Sequence, residues 1–281
     1  MKGFLLKIIL ISLCVGCIQS DLLILTKLPK KMKEVSGMAL DDKNGRFWMV
    51  NDSGNKPVLY ALDADGEVTK KIEVEAKNKD WEDLTTDDDG NIYIGDFGNN
   101  SNDRKNLRIF KLKAKDLNDK SIDPTKISFY FPEQDKFPPK KDKRFFDCES
   151  FFYLNDHLYL FTKSRVRSNP GLSMLYKIPA KKGHHEAKLM GTFETCKDKG
   201  CWVTSADINS SKNKIVLLTE EGVYLFSDFE KDDFFNGTLT SYKFGSLTQK
   251  ESVVFKNDST LYIADEDSGH KGGYLYEYSI R

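Results

Sequence analysis

DWEDLTTDDDGNIYIGDFGNN, residues 80–100, is the stretch whose reading decides the fold. One limb starts at Glu82, the chain reverses at Asp88-Asp89-Gly90, and a second limb returns from Asn91 to Asp96. Apolar and β-branched residues fill the limbs, and Asp and Gly mark the reversal, which reads as a hairpin. The same unit recurs as SGMALDDKNGRFWMVND from Ser36, ESFFYLNDHLYLFTK from Glu149, ADINSSKNKIVLLTE from Ala206 and ESVVFKNDSTLYIAD from Glu251. Five copies, 45 to 67 residues apart, are the mark of a repeat architecture.

Each interval has room for four short strands. Further strand-like runs at 58–62 and 70–74, 107–113 and 127–131, 174–178 and 188–193, and 223–226 and 240–244 supply the outer pairs of four units. No segment past residue 20 keeps a helical period. The fifth unit ends one strand short after 273–280, whereas Leu22-Leu23-Ile24-Leu25 near the other end has no unit of its own. If that run supplies the missing strand, the ends clasp and no sheet edge is left open. The expectation is all-β: a single β-propeller of five four-stranded blades over 18–281, closed by the N-terminal strand. Six blades is the alternative, with a degenerate one between Asp96 and Glu149.

EVSGMAL, WMVNDSGN and LYALDADG, followed by the 80–100 stretch, resemble the extracytoplasmic propellers grouped as phytase-like, SdiA-regulated or NHL/SMP-30-like proteins. The similarity is strongest over residues 34–112. It implies the propeller, and it implies company that includes calcium-dependent phosphatases and lactonases. Activity must still be argued from the site.

Residues 1–17 read as a targeting segment. Lys2 and Lys7 precede a mostly apolar run, Ile8 to Val15, that is too short to span a bilayer. Leu13-Cys14-Val15-Gly16-Cys17 resembles a bacterial lipobox, which implies lipidation at Cys17; Cys14 departs from the usual leucine. Cleavage near Ser20 with free secretion is the alternative. Both readings place the mature chain outside the cytoplasm, in the cell envelope, with membrane contact only through a lipid anchor. In that compartment Cys196 and Cys201, five residues apart around a Gly-containing turn, suit a disulfide, and Cys148 is left as a buried thiol.

Lysine plus arginine equals aspartate plus glutamate at 43 each, so net charge argues against a nucleic-acid partner. The one basic run, Pro139 to Arg144, contains an acid and reads as a solvated loop. The four histidines lack metal spacing, and EF-hand, G-x-S-x-G and phosphate-loop motifs are absent.

Both ends of a propeller's inner hairpin reach one rim. Pairing residues 14 apart sets Glu82 with Asp96, Glu149 with Lys163, Ala206 with Glu220 and Glu251 with Asp265, while Ser36 faces Asp52 in the longer first copy. Seven carboxylates then crowd one rim with Lys163, and like charges placed opposite one another repel. Three outcomes are open: raised carboxyl pKa values, neutralisation by Lys163, Arg104 or Arg165, or a hard cation such as calcium. The metal candidates are Asp52, Glu82, Asp96, Glu149, Glu251 and Asp265. Asn51, Asn99, Asn100, Arg104, Lys163, Trp81 and Trp202 are the ligand-binding candidates, set against turn chemistry for the Asn-Gly loops and blade packing for the tryptophans. The functional expectation is a small-ligand binder that uses a divalent cation. The alternatives are a calcium-dependent phosphoester or lactone hydrolase, with Glu82 and Glu149 as its working carboxylates, and a scaffold that holds another envelope protein.

Overall fold

A computed structural model describes residues 18–19, 22–197 and 200–280. The leader and Cys17 lie outside these residues. Five sheets are arranged as a five-bladed propeller, and the only helices among the described residues are short 3-10 turns. Blade one is built from Val35–Asp41, Arg46–Asn51, Val58–Leu62 and Val68–Val74. Blade two uses Trp81–Thr86, Ile92–Asp96, Leu107–Leu112 and Thr125–Tyr130. Blade three uses Asp147–Leu154, His157–Lys163, Leu172–Pro179 and Lys188–Glu194. Blade four uses Ser205–Ile208, Lys214–Leu218, Gly222–Ser227 and Thr238–Lys243. Blade five combines Lys250–Asn257, Thr260–Asp265 and Tyr274–Ser279 with the N-terminal Leu23–Lys27.

That last pairing is the clasp expected from the sequence: Leu23–Lys27 runs antiparallel to Tyr274–Ser279, with Lys27 opposite Tyr274. The sixth blade is corrected away. The interval after Asp96 holds the two outer strands of blade two, a short strand, and a loop whose Gln134 donates to the Asn102 carbonyl at 2.7 Å. Three blades also carry a short parallel addition on their outer edge: Ser121–Ile122 on blade one, Gly183–Glu186 on blade two and Ile18–Gln19 on blade four.

Burial explains the residue patterns. Inner strands lie between neighbouring blades and are apolar on both faces; Ile92–Asp96 is buried throughout. Outer strands meet solvent on one side and alternate, as in Val68–Val74. Five apolar clusters fill the five seams. Trp48 and Ile72 meet Trp81 and Ile94 between blades one and two. Phe97 meets Phe151 at the next seam, and Phe161 meets Phe226 at the third. Val216 meets Ile263 at the fourth. The ring closes where Met38 and Phe47 of blade one meet Val254 and Leu275 of blade five.

The inner strands leave one backbone edge toward the axis, and side chains from neighbouring blades satisfy part of it. Asp83 of blade two accepts from the Phe151 N–H of blade three at 3.3 Å. Ser205 Oγ of blade four accepts from the Val253 N–H of blade five at 3.1 Å, and Asp207 accepts from the Phe255 N–H at 2.8 Å. Ser205 Oγ also reaches Asp83 across the axis at 3.4 Å, and both residues are buried. This contact separates a cavity at the starts of the inner strands from a second one, about 190 Å³, at their ends. Blades one and two approach so closely there that a Cβ on Gly37 would lie 2.7 Å from the Asp83 and Leu84 backbone.

Candidate functional site

A β-bulge near the start of the inner strand decides what faces the axial mouth. Trp81 pairs with Asp96 and Asp83 with Gly95, so Glu82 has no partner and is pushed out of the ladder. The same shift expels Glu149 between Cys148 and Ser150, Glu251 between Lys250 and Ser252, and Ser36 between Val35 and Gly37. In blade four Ser205 pairs with Leu218, and the Thr204 N–H donates to the same carbonyl. Thr204, two residues before the expected Ala206, therefore holds the fourth position; Ala206 pairs with Leu217.

The bulges and the residues just past the second strands line a cavity of about 310 Å³. Asp52, Glu82, Glu149, Glu220, Glu251 and Glu266 supply six carboxylates against the cations Lys163 and Arg165, with Trp202 and Asn100 on the wall. Glu149 sits on the cationic bank: Lys163 Nζ is 3.0 Å from one of its oxygens, and Arg165 is 3.2 Å from the other. Arg165 also binds the buried Asp147 and the Asn100 side chain. Lys163 lies over the Trp202 ring, 5.8 Å from its centre.

The opposite bank is acidic and under-satisfied. Carboxylate oxygens of Asp52, Asp80 and Glu82 all lie within 4.8 Å of one another. Glu82 is only 8% exposed, and among the described residues it receives no hydrogen bond or ion pair. Asp80 has Arg104 no nearer than 4.0 Å. The floor beneath them is Gly98, where a Cβ would come within 1.9 Å of Glu82 Oε1 and 2.6 Å of Asp80 Oδ2. Only glycine lets the two carboxylates sit against the backbone there.

Burial and mutual repulsion push these acids up. Desolvation, then Glu149 and Asp52, hold the Glu82 carboxyl well above its usual range. Asp80 is raised to about 6 by burial and by Asp52. Burial lifts Glu251 to about 7, partly opposed by Lys163. Glu266 rises to about 8 through burial and the nearby Glu251. Burial also raises Glu149, while Lys163 pulls it back. Lys163 itself is depressed by desolvation but raised overall by Glu149 and Glu251.

Of the sequence candidates, the fold thus brings together Asp52, Glu82, Glu149, Glu251, Lys163, Trp202 and Asn100. It does not bring Asp96, Asp265, Asn51, Asn99, Arg104 or Trp81 to the cavity. Asp96 is fully buried and binds Arg104 at 3.0 Å and Arg108 at 2.7 Å. Asp265 accepts from the Tyr274 N–H and the Tyr276 hydroxyl, both at 2.8 Å. Asn51 donates to the Lys31 carbonyl, and Asn99 to that of Phe146. Arg104 is tied to the Gly98 and Asp96 carbonyls, and Trp81 packs in the first seam beside Phe110. Asp80 and Glu266 were not among the sequence candidates. The signal for Glu266 was one position away: it follows Asp265 as Asp52 follows Asn51, just past the paired strand end.

Cys196 and Cys201 form a disulfide with Cα atoms 5.7 Å apart, immediately before Trp202. Cys148 is a free, buried thiol. No helix among the described residues is long and apolar enough to cross a membrane.

No protein-family model and no curated protein matches the chain. Solved structures resemble it in shape. A gluconolactonase from Xanthomonas campestris aligns over 88% of this chain and 72% of its own, at 13% identity and a TM-score of 0.49. A catalytically inactive virginiamycin B lyase from Staphylococcus aureus, solved with quinupristin, aligns over 90% and 69%, at 12% identity and a TM-score of 0.43.

Proposed function

We propose that this propeller binds a divalent cation, by its donor chemistry calcium, in the acidic half of the axial cavity and a small polar ligand beside it. The observation that carries the reading is Glu82, a buried carboxyl without a partner among the described residues, set against Asp52 and Asp80 where Gly98 lets the acids close in. A hard cation takes oxygen ligands of this kind, and its charge would offset the repulsion that now raises their pKa values. Asp52, Asp80 and Glu82 would hold it. Lys163, Arg165 and Trp202 face the same space and suit an anionic or polar group, held by charge and by the indole face. The setting we propose is extracytoplasmic, with the chain lipid-anchored at Cys17 or secreted; the apolar leader and the lipobox-like run ending at Cys17 support it.

A hydrolytic role is the second reading, for a phosphoester or lactone. It is favoured by Glu82 and Glu149 lining one cavity with different surroundings, one unpartnered and the other paired with two cations. Burial pushes both carboxyls up, but Lys163 and Arg165 draw Glu149 back whereas the acids around Glu82 push it further, so the two differ in the direction that acid and base roles require. In this reading Asp52 and Asp80 would hold the cation and leave Glu82 to handle the proton. A bound cation would supply polarisation of the scissile group. The scaffold reading gains less support, because the largest exposed apolar side chains, such as Leu23, Ile24 and Leu247, lie away from the cavity lining.

Thermal melts in calcium and in chelator test the cation. At calcium a hundredfold above its dissociation constant, binding adds about 2.7 kcal/mol, a rise of roughly 5 °C or more for a chain of this size. Equal midpoints in the two conditions would remove the cation from the account.

A further inference from the structure

A third cavity, about 330 Å³, opens on the outer flank of blade two, where neither the repeat nor the axial chemistry pointed. Its size is at the lower end of small-molecule pockets, which span roughly 300–1,000 Å³. Phe129, Phe131 and Leu107, at most 2% exposed, form a packed apolar floor, and the accessible apolar surface above it belongs to Tyr130 and Pro132. Phe137, from the loop after the blade, forms the opposite side.

The charged lining residues are both cationic, Arg104 and Lys105, and the nearby Glu186 carboxylate accepts from the Tyr130 hydroxyl at 2.8 Å. Lys105 lies over the Phe137 ring at 5.0 Å, and among the described residues no carboxylate comes within ion-pair distance of its ammonium. His184 arrives on the strand that blade three lends to blade two and stacks on Tyr130 at 5.3 Å. Arg104 also lines the pocket, but Asp96 already neutralises it. None of the lining residues is acidic, in contrast to the axial cavity. Flat apolar walls favour a ring that can pack edge to face, and an unpaired cation at the mouth favours a negative group on it.

We propose that this flank pocket binds a planar aromatic carboxylate, with the ring against Tyr130, Pro132 and Phe137 and the carboxylate on Lys105. The site is separate from the axial cavity and shares no lining residue with it. Lys105 is exposed and Phe137 is half-buried, so both tolerate substitution without loss of the fold.

Calorimetric titration with 2-naphthoate and its uncharged amide, 2-naphthamide, tests the assignment on the full chain. The expected result is saturable binding of the acid, with the amide weaker by roughly tenfold. Lys105→Glu should weaken the acid by a similar factor and leave the amide unchanged, whereas Phe137→Ala should weaken both probes. The proposal is overturned if the acid shows no saturable binding or binds no better than the amide. It is equally overturned if neither variant changes the acid's affinity, which would place the probe elsewhere, the axial cavity included.

Discussion

Arg165→Met should destabilise the protein by about 3 kcal/mol or more at pH 8, the scale for removing one partner from a buried ion pair. The Arg165 guanidinium serves Asp147, which is fully buried, and Glu149, which is 4% exposed on its side chain. Without it, Glu149 keeps Lys163 and Asp147 keeps the Asn99 N–H at 2.6 Å, but two carboxylates remain in low dielectric with half their compensation. Arg165→Lys should recover only part of the loss, because an ammonium cannot reproduce the planar fork that reaches both acids. Urea denaturation in chelator measures it. The penalty should shrink at pH 5, where the raised pKa of Glu149 lets that group take up a proton. An unchanged midpoint at pH 8 would mean that the cationic bank does not hold this rim together.

The stability of the metal-free protein should fall by several kcal/mol, in order of magnitude, as pH rises from 5 to 8. The sign follows from proton counts. Asp80, Asp207, Glu251 and Glu266 have folded pKa values of about 6, 7, 7 and 8, all above the ordinary carboxylate range. Between pH 5 and 8 the native state therefore binds more protons than the unfolded chain. Their contribution is fully present below the unfolded pKa and is lost as pH passes through each folded value. Lys250 works in the opposite sense: burial lowers it to about 8, so it adds stability as pH rises above that value, which sets the upper limit of the window. Calcium should flatten the curve mainly at its alkaline end, where the Asp80, Glu82, Glu251 and Glu266 carboxylates are free to bind or to feel the ion. Denaturant titrations at pH 5, 6.5 and 8, with and without calcium, give the curve. A stability that rises over this range would contradict the crowding of protonated acids at the axis.

Much of the fold was legible because the hairpin repeat and the orphan N-terminal run are both one-dimensional signals. Five inner hairpins gave five blades, and a unit one strand short implied the clasp that Leu23–Lys27 makes. The site was legible only to within a residue. A spacing of 14 identified Glu82, Glu149 and Glu251, but it assigned them partners by uniform pairing. The bulge breaks that pairing, so Asp96 and Asp265 turn into the blades, where Arg108 and Tyr276 hold them. A one-residue irregularity reverses which face a side chain occupies, and nothing in the composition of WEDL or KESV announces it. Asp80 was hidden for a different reason. It precedes the inner strand and reaches the cluster only because Gly98, 18 residues later, leaves the space. The flank pocket depends on a strand crossing from blade three, a contact between residues more than 50 positions apart that no local pattern records.

The central claim, a cation held by Asp52, Asp80 and Glu82, is tested most directly by calorimetric titration of calcium into the chelator-treated protein at pH 7, in two buffers of different ionisation enthalpy. The account predicts saturable binding at a single site, with protons released as acids of raised pKa give way to the ion, and a loss of at least about a hundredfold in affinity in Glu82→Gln. Absence of saturable binding, or equal affinity in the wild type and Glu82→Gln, would contradict it.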